Sequence, residues 1–157
     1  VVYERLFPGL PVDKMEEYRA LCARQELAAA QQHGGAPYPG LESTLRYLLN
    51  QGYRLFIVSN CQVGYVEAVF KHTGLGHFFE GHQCFDTKGL PKSENIREVM
   101  AQYDLQAPVY VGDTLGDLAA SQAADVPFIF ATYGFGRLSL VEAPARIDEP
   151  EQLLRFL

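Results

Sequence analysis

Five residues have the types and spacing that chemistry on a small anion requires: Ser59, Asn60, Lys92, Asp113 and Asp117. Ser59 and Asn60 directly follow the apolar run LFIV (55–58), and Gly112, Asp113 and Thr114 directly follow VYV (109–111). Both runs read as strands buried on both faces. In an open parallel sheet, ligands bind beyond the carboxyl ends of the strands. A strand-to-helix turn there also offers free N–H groups and a helix dipole to an anion. Asp117 falls one turn after Asp113, so the two carboxylates can face one volume. Such a pair repels unless a cation or proton lies between, and oxygen ligands of this kind suit Mg²⁺. The same pair also reads as helix capping, with Asp113 as N-cap and Asp117 as dipole partner, and for the pair alone capping is the simpler account. Ser59 is either an N-cap or a hydroxyl donor to a phosphate oxygen, and Asn60 is either a second donor or a turn residue. No histidine nearby makes Ser59 a nucleophile, which argues against a Ser–His–Asp hydrolase. Lys92, in GLPKSEN, is by itself a solvated loop lysine. Aimed at the strand ends, it would offset the charge of an anionic nucleophile and an anionic substrate.

The elements that must position these residues alternate. A helix is expected over 12–33, started by Pro11 and Asp13 and stopped by Gly34-Gly35, with a modest stripe of Val12, Met15, Tyr18, Leu21 and Cys22. The turn-rich GGAPYPG (34–40) then marks a boundary or hinge. Beyond it, Leu41, Thr44, Leu45 and Leu48 lie at helical spacing, ended by Gly52, before LFIV. Val63, Val66, Val69 and Phe70 make a second helical face closed by Gly74. HQCFD (82–86) reads as a short strand. Ser93 is placed to cap a helix bearing Ile96, Val99, Met100 and Tyr103. After VYV come a small-residue helix (115–124), a strand PFIFA (127–131), a weak strand at 145–147 and a last helix from Pro150. Alternating strands and helices imply an α/β fold: a Rossmann-like parallel sheet with helices on its faces. YGFGRL (133–138) lacks the strand–GxGxxG–helix order of a dinucleotide site and reads as a loop at the sheet edge that helps shape the pocket.

Composition narrows the classes. The chain has 157 residues and is 48% apolar, enough for one core without disulfides. A net charge of -6 is unsuited to nucleic acid or anionic membranes. No run is long and apolar enough to span a bilayer. Cys22, Cys61 and Cys84 are scattered, and His33, His72, His77 and His82 lack metal-ligand spacing. The cysteines therefore read as reduced thiols of a cytoplasmic protein, with neither a disulfide frame nor a zinc site.

Together, LFIVSNC, the lysine of GLPKSEN and VYVGDTLGD resemble the second, third and fourth motifs of the haloacid-dehalogenase-like (HAD) hydrolases. The run from APYPG to LFIVSN is similar to the core entry of the phosphoglycolate-phosphatase-type members. The resemblance covers residues 36 to about 136. It implies Mg²⁺-dependent phosphoryl transfer on a small phosphorylated substrate through an aspartyl-phosphate. Ser59 and Asn60 would bind the phosphoryl group, Lys92 would offset charge, Asp113 would bind the metal, and Asp117 would complete or support that site. It further implies that residues 1–35 are the remnant of a helical cap and 36–157 the core.

Two departures stand out. Ser93 follows Lys92 where many relatives have proline. More seriously, the family's first motif, a strand ending in DxD whose first Asp is the nucleophile, has no counterpart, because no DxD occurs in the chain. Asp13 is in a helical context and Asp86 follows no long apolar strand. In the family that strand lies between those ending at Ser59 and Asp113, so its loss would leave two unpaired edges mid-sheet. The expectation is an inactive C-terminal portion, with the nucleophile on a missing N-terminal segment or another chain. The alternatives are a phosphomutase of the same fold, a non-catalytic HAD-like binding module and, more weakly, a receiver-type domain.

Overall fold

The computed structural model describes residues 7–157, and the first six residues of the expected cap remnant lie outside them. Helix α1 (Val12–His33) follows Pro11 and stops at Gly34, whose φ of 60° turns the chain while its N–H bonds the Ala30 carbonyl at 2.9 Å. Of the predicted stripe, Met15 is buried and Cys22 half-buried, while Val12, Tyr18 and Leu21 are exposed; Ala30 is the other buried position. The Ala-rich end of α1 instead lies against the segment after the first strand. There Gln62 Nε2 donates to the Ala23 carbonyl at 2.6 Å, and His72 Nε2 lies 2.8 Å from the Gln31 carbonyl.

Helix α2 (Leu41–Asn50) buries Thr44, Leu45 and Leu48 at the expected spacing. Strand β1 (Phe56–Ser59) leads by a loop to α3 (Tyr65–Thr73), closed by Gly74 in the left-handed region. Val63 falls in the loop and is exposed, so it does not join the α3 face. A 3₁₀ turn (Leu75–Phe78) precedes β2 (Gly81–Cys84), which gives way after Cys84 to the single-turn helix α4 (Phe85–Lys88) rather than continuing to residue 86. Helix α5 (Lys92–Gln102) starts after Pro91 with no side-chain cap, so Ser93 lies inside its first turn instead of capping it. Strand β3 (Tyr110–Gly112), helix α6 (Leu115–Ala123), strand β4 (Phe128–Ala131) and strand β5 (Arg146–Ile147) follow. The last element, Pro150–Arg155, is a 3₁₀ helix and not an α-helix.

All strand pairings are parallel, as α/β alternation requires, but the strands form two separate sheets. One is β1–β2, with Ser59 opposite Cys84. The other is β3–β4–β5, with Gly112 opposite Phe130 and Ala131 opposite Ile147. The edges of β1 and β3 face an apolar slot of about 610 Å³ lined by Ile57, Val58, Tyr110, Val111, Leu48 and Ile147 among others. This corrects the expectation of strands buried on both faces. Every residue of β1 is only half-buried and Val111 is 38% exposed, because among the described residues one edge of each strand has no neighbour. Strand β4, paired on both sides, is buried through Ile129, Phe130 and Ala131.

The two sheets are joined by packing. Ile96 of α5, with Ala124 and Val126, packs against both Val58 and Tyr110, and Tyr110 Oη donates to the Val58 carbonyl at 2.9 Å. Among the described residues no helix is long and apolar enough to cross a membrane.

Candidate functional site at the carboxyl edge

Asp113 and Thr114 follow β3, and the turn into α6 is built by Thr114, not Asp113. Thr114 is the N-cap: its hydroxyl accepts from Asp117 N–H at 3.1 Å, while Asp117 Oδ2 accepts from Thr114 N–H at 3.0 Å. This reciprocal capping box satisfies two donors that a helix start otherwise leaves open. Asp117 Oδ2 also accepts from the Thr114 hydroxyl at 2.7 Å and from Asp113 N–H at 3.2 Å. Its other oxygen, Oδ1, accepts from Lys92 Nζ.

Asp117 is 4% exposed. Burial acts against its charged form, but the hydrogen bonds from Lys92 and Thr114 and the charge of Lys92 outweigh it, holding the carboxyl below the usual aspartate range. Lys92 is therefore no solvated loop lysine. It opens α5, its side chain is 14% exposed, and its ammonium lies 6.0 Å from the centre of the Tyr110 ring. The Tyr110 hydroxyl is itself pushed well above its usual pKa, by burial first and by the charges of Asp117 and Asp113 second.

The two aspartates turn to different partners. Asp113 Oδ2 accepts from Phe135 N–H at 2.7 Å, and among the described residues its second oxygen takes no hydrogen bond. The donor belongs to the YGFG loop, which packs directly on the Asp113 backbone. A Cβ on Gly136 would lie 1.9 Å from the Asp113 carbonyl oxygen, so only glycine permits this approach. The loop thus shapes the site, as its place after β4 predicts. Gly112 has a similar constraint from below, where a Cβ would meet Asp117 Cβ at 2.5 Å.

Ser59 ends β1, but it does not cap a helix. Its Oγ accepts from Cys61 N–H at 3.2 Å in a local turn, and α3 begins only at Tyr65 after Gly64. The expected helix dipole directly behind Ser59 is therefore missing, because the loop of residues 60–64 intervenes. Among the described residues the Ser59 hydroxyl donates no hydrogen bond, which leaves its proton for a ligand. Asn60 is exposed and lines an open cleft of about 560 Å³ with Lys92, Ser93 and Gly116, which places it on the side of the site where α5 and α6 begin.

Hydrogen bonds thus link Lys92, Asp117, Thr114 and the Asp113 backbone, and Asn60 shares a cleft with Lys92, while Ser59 stands at the end of β1 in contact with Cys61. Among the described residues no three His, Cys, Asp or Glu side chains gather around one point. Asp113 fits a hard divalent cation of the Mg²⁺ type, which takes one or two protein carboxylates and draws its other oxygens from water and phosphate. Asp117, with both oxygens engaged, fits a supporting position. The sequence left Thr114, Tyr110 and the Phe135 N–H unassigned. The Thr-x-x-Asp spacing of residues 114–117 was a readable signal for the cap, whereas the Tyr110 and Phe135 contacts had none.

A family model described as haloacid dehalogenase-like hydrolase matches residues 5–131. The chain is 32% identical over 130 residues to a plasmid-encoded phosphoglycolate phosphatase of Cupriavidus necator, covering 78% of this chain and 56% of that protein. It is 32% identical over 124 residues to a phosphoglycolate phosphatase of Pseudomonas putida, covering 74% and 46%. The chain thus spans about half the length of the curated relatives it matches. A haloacid dehalogenase-like family hydrolase from Streptococcus pneumoniae superposes with a TM-score of 0.83 at 17% identity, over 99% of this chain and 76% of that one, which is a likeness of fold.

Proposed function

Because the chain belongs to the haloacid dehalogenase-like hydrolase family, we propose that its carboxyl edge is the phosphate and metal half of a Mg²⁺-dependent phosphomonoesterase. Its substrate class is a small phosphorylated metabolite, in keeping with the phosphoglycolate phosphatases to which the chain is similar. The observation that carries the reading is the Lys92–Asp117–Thr114 network, in which one carboxylate holds the Lys92 ammonium on one oxygen and the Asp113 and Thr114 backbone at the end of β3 on the other. Ser59 donates its hydroxyl proton to a phosphoryl oxygen, and Asn60 adds an amide donor. Lys92 offsets the charge of an anionic nucleophile meeting an anionic substrate. Asp113 holds the metal, and Asp117 supports it by keeping Lys92 and the 113–114 backbone in place. When bound, Mg²⁺ neutralises charge on the phosphoryl oxygens.

The nucleophile of this proposal comes from outside the chain. A further parallel strand fits the slot between β1 and β3, where it would satisfy both open edges and end beside Ser59 and Asp113. A carboxylate on its last residue would attack phosphorus, expel the alcohol and form an acyl phosphate that water then cleaves. Residues 1–35 we read as part of a helical cap and 36–157 as the core.

The test uses a phosphomonoester panel with Mg²⁺. The 157-residue chain gives no turnover, the chain joined to a segment ending a strand in DxD does, and Asp113→Asn abolishes it. Turnover by the chain alone, or undiminished activity of Asp113→Asn, overturns the proposal.

A further inference from the structure

Scattered in sequence, Cys61 and Cys84 meet in space. Their sulfurs lie 3.3 Å apart, while a disulfide spans about 2.05 Å, so a rotamer-scale closure of roughly 1.2 Å would join them. The juxtaposition follows from the register. Cys84 ends β2 directly opposite Ser59, and the turn whose Cys61 N–H bonds Ser59 Oγ brings Cys61 back over the same strand end. Both are thiols, Cys61 half-buried and Cys84 2% exposed, and Cys22 lies apart on α1.

We propose that Cys61 and Cys84 are a reversible redox couple, a modification site that ties the Ser59–Asn60 loop to the end of β2 when oxidised. The co-reactant is a low-molecular-weight disulfide such as oxidised glutathione. Cys61, the more accessible sulfur, attacks one glutathione sulfur as the thiolate and expels the other as a thiolate. Cys84, also as the thiolate, then attacks the Cys61 sulfur and expels the second glutathione. The protein loses two electrons and two protons, one disulfide becomes two thiols, and excess dithiol reverses the exchange. Formation of the bond is independent of the phosphatase reading. Its consequence for phosphate rests on that reading, since the Cys61 N–H that moves is the one holding the Ser59 hydroxyl.

The experiment incubates the full chain with oxidised glutathione, then maps disulfides by mass spectrometry and follows backbone amides by NMR. The expected product has lost the mass of two hydrogens, yields a linked Cys61–Cys84 peptide, shifts the Ser59 and Asn60 amides, and reverts fully with dithiothreitol. Cys22→Ser leaves this unchanged. Cys84→Ala stops at a Cys61–glutathione adduct, which also shows that the variant presents Cys61 as the native chain does. A native chain that stays at the adduct, pairs through Cys22, or does not react overturns the proposal. A linked peptide without movement of the Ser59 and Asn60 amides overturns the coupling to the loop. None of these readouts uses phosphate, so they separate this proposal from the phosphatase assignment.

Discussion

Replacing Asp117 by Asn tests whether one carboxylate holds the edge together. Asn keeps the shape but has only one acceptor oxygen. That oxygen can serve Lys92 or the Asp113 and Thr114 donors, not both, and its amide then meets another donor. Removing one partner of a buried ion pair costs about 3–5 kcal/mol. Lys92 keeps 14% exposure, so water recovers part of this and about 2–4 kcal/mol is expected.

The pH dependence separates charge from shape. Asp117 is held below its ordinary value of 3.8, so the unfolded state binds the proton more readily. Its contribution is therefore complete above the unfolded pKa and is lost as pH falls through the lower folded one. Urea unfolding of the full chain from neutral pH to pH 3 should show a larger loss on acidification for the native chain than for Asp117→Asn. The gap between the two should narrow steadily as pH falls below the unfolded pKa. A cost below about 1 kcal/mol at neutral pH, the range of an exposed pair, would refute the reasoning, as would parallel pH profiles.

Two further outcomes follow from contacts at the same edge. Gly136→Ala forces a methyl into the Asp113 carbonyl oxygen, and overpacking of this kind should cost about 1–3 kcal/mol in thermal or urea unfolding. Tyr110→Phe removes the hydrogen bond to the Val58 carbonyl that links the two sheets. A loss of about 1 kcal/mol is expected, with faster amide exchange along β1.

Much of this site was legible because strand ends and turn residues are local. LFIV and VYV placed Ser59 and Asp113 at strand ends to within one residue, and Gly34 and Gly74 ended their helices as read. The failures were also local in cause. Ser93 was read as a cap because serine often is one, but Pro91 already starts α5. The modest stripe on α1 is covered only at Met15 and partly at Cys22, since an amphipathic pattern does not say which partner is present to cover it.

The sequence by itself determined the parallel α/β architecture, the order of the five candidate residues and the absence of DxD, since each depends on residue type and spacing along the chain. Only the tertiary structure decided that Lys92 pairs with Asp117, that Phe135 N–H holds Asp113, and that Cys61 meets Cys84. It also showed β1 and β3 standing apart across an apolar slot, held by the packing of Ile96 and the hydroxyl of Tyr110. These contacts join residues 14 to 52 positions apart. Such pairs are set by which elements the fold brings side by side, whereas hydrophobic periodicity describes one element at a time.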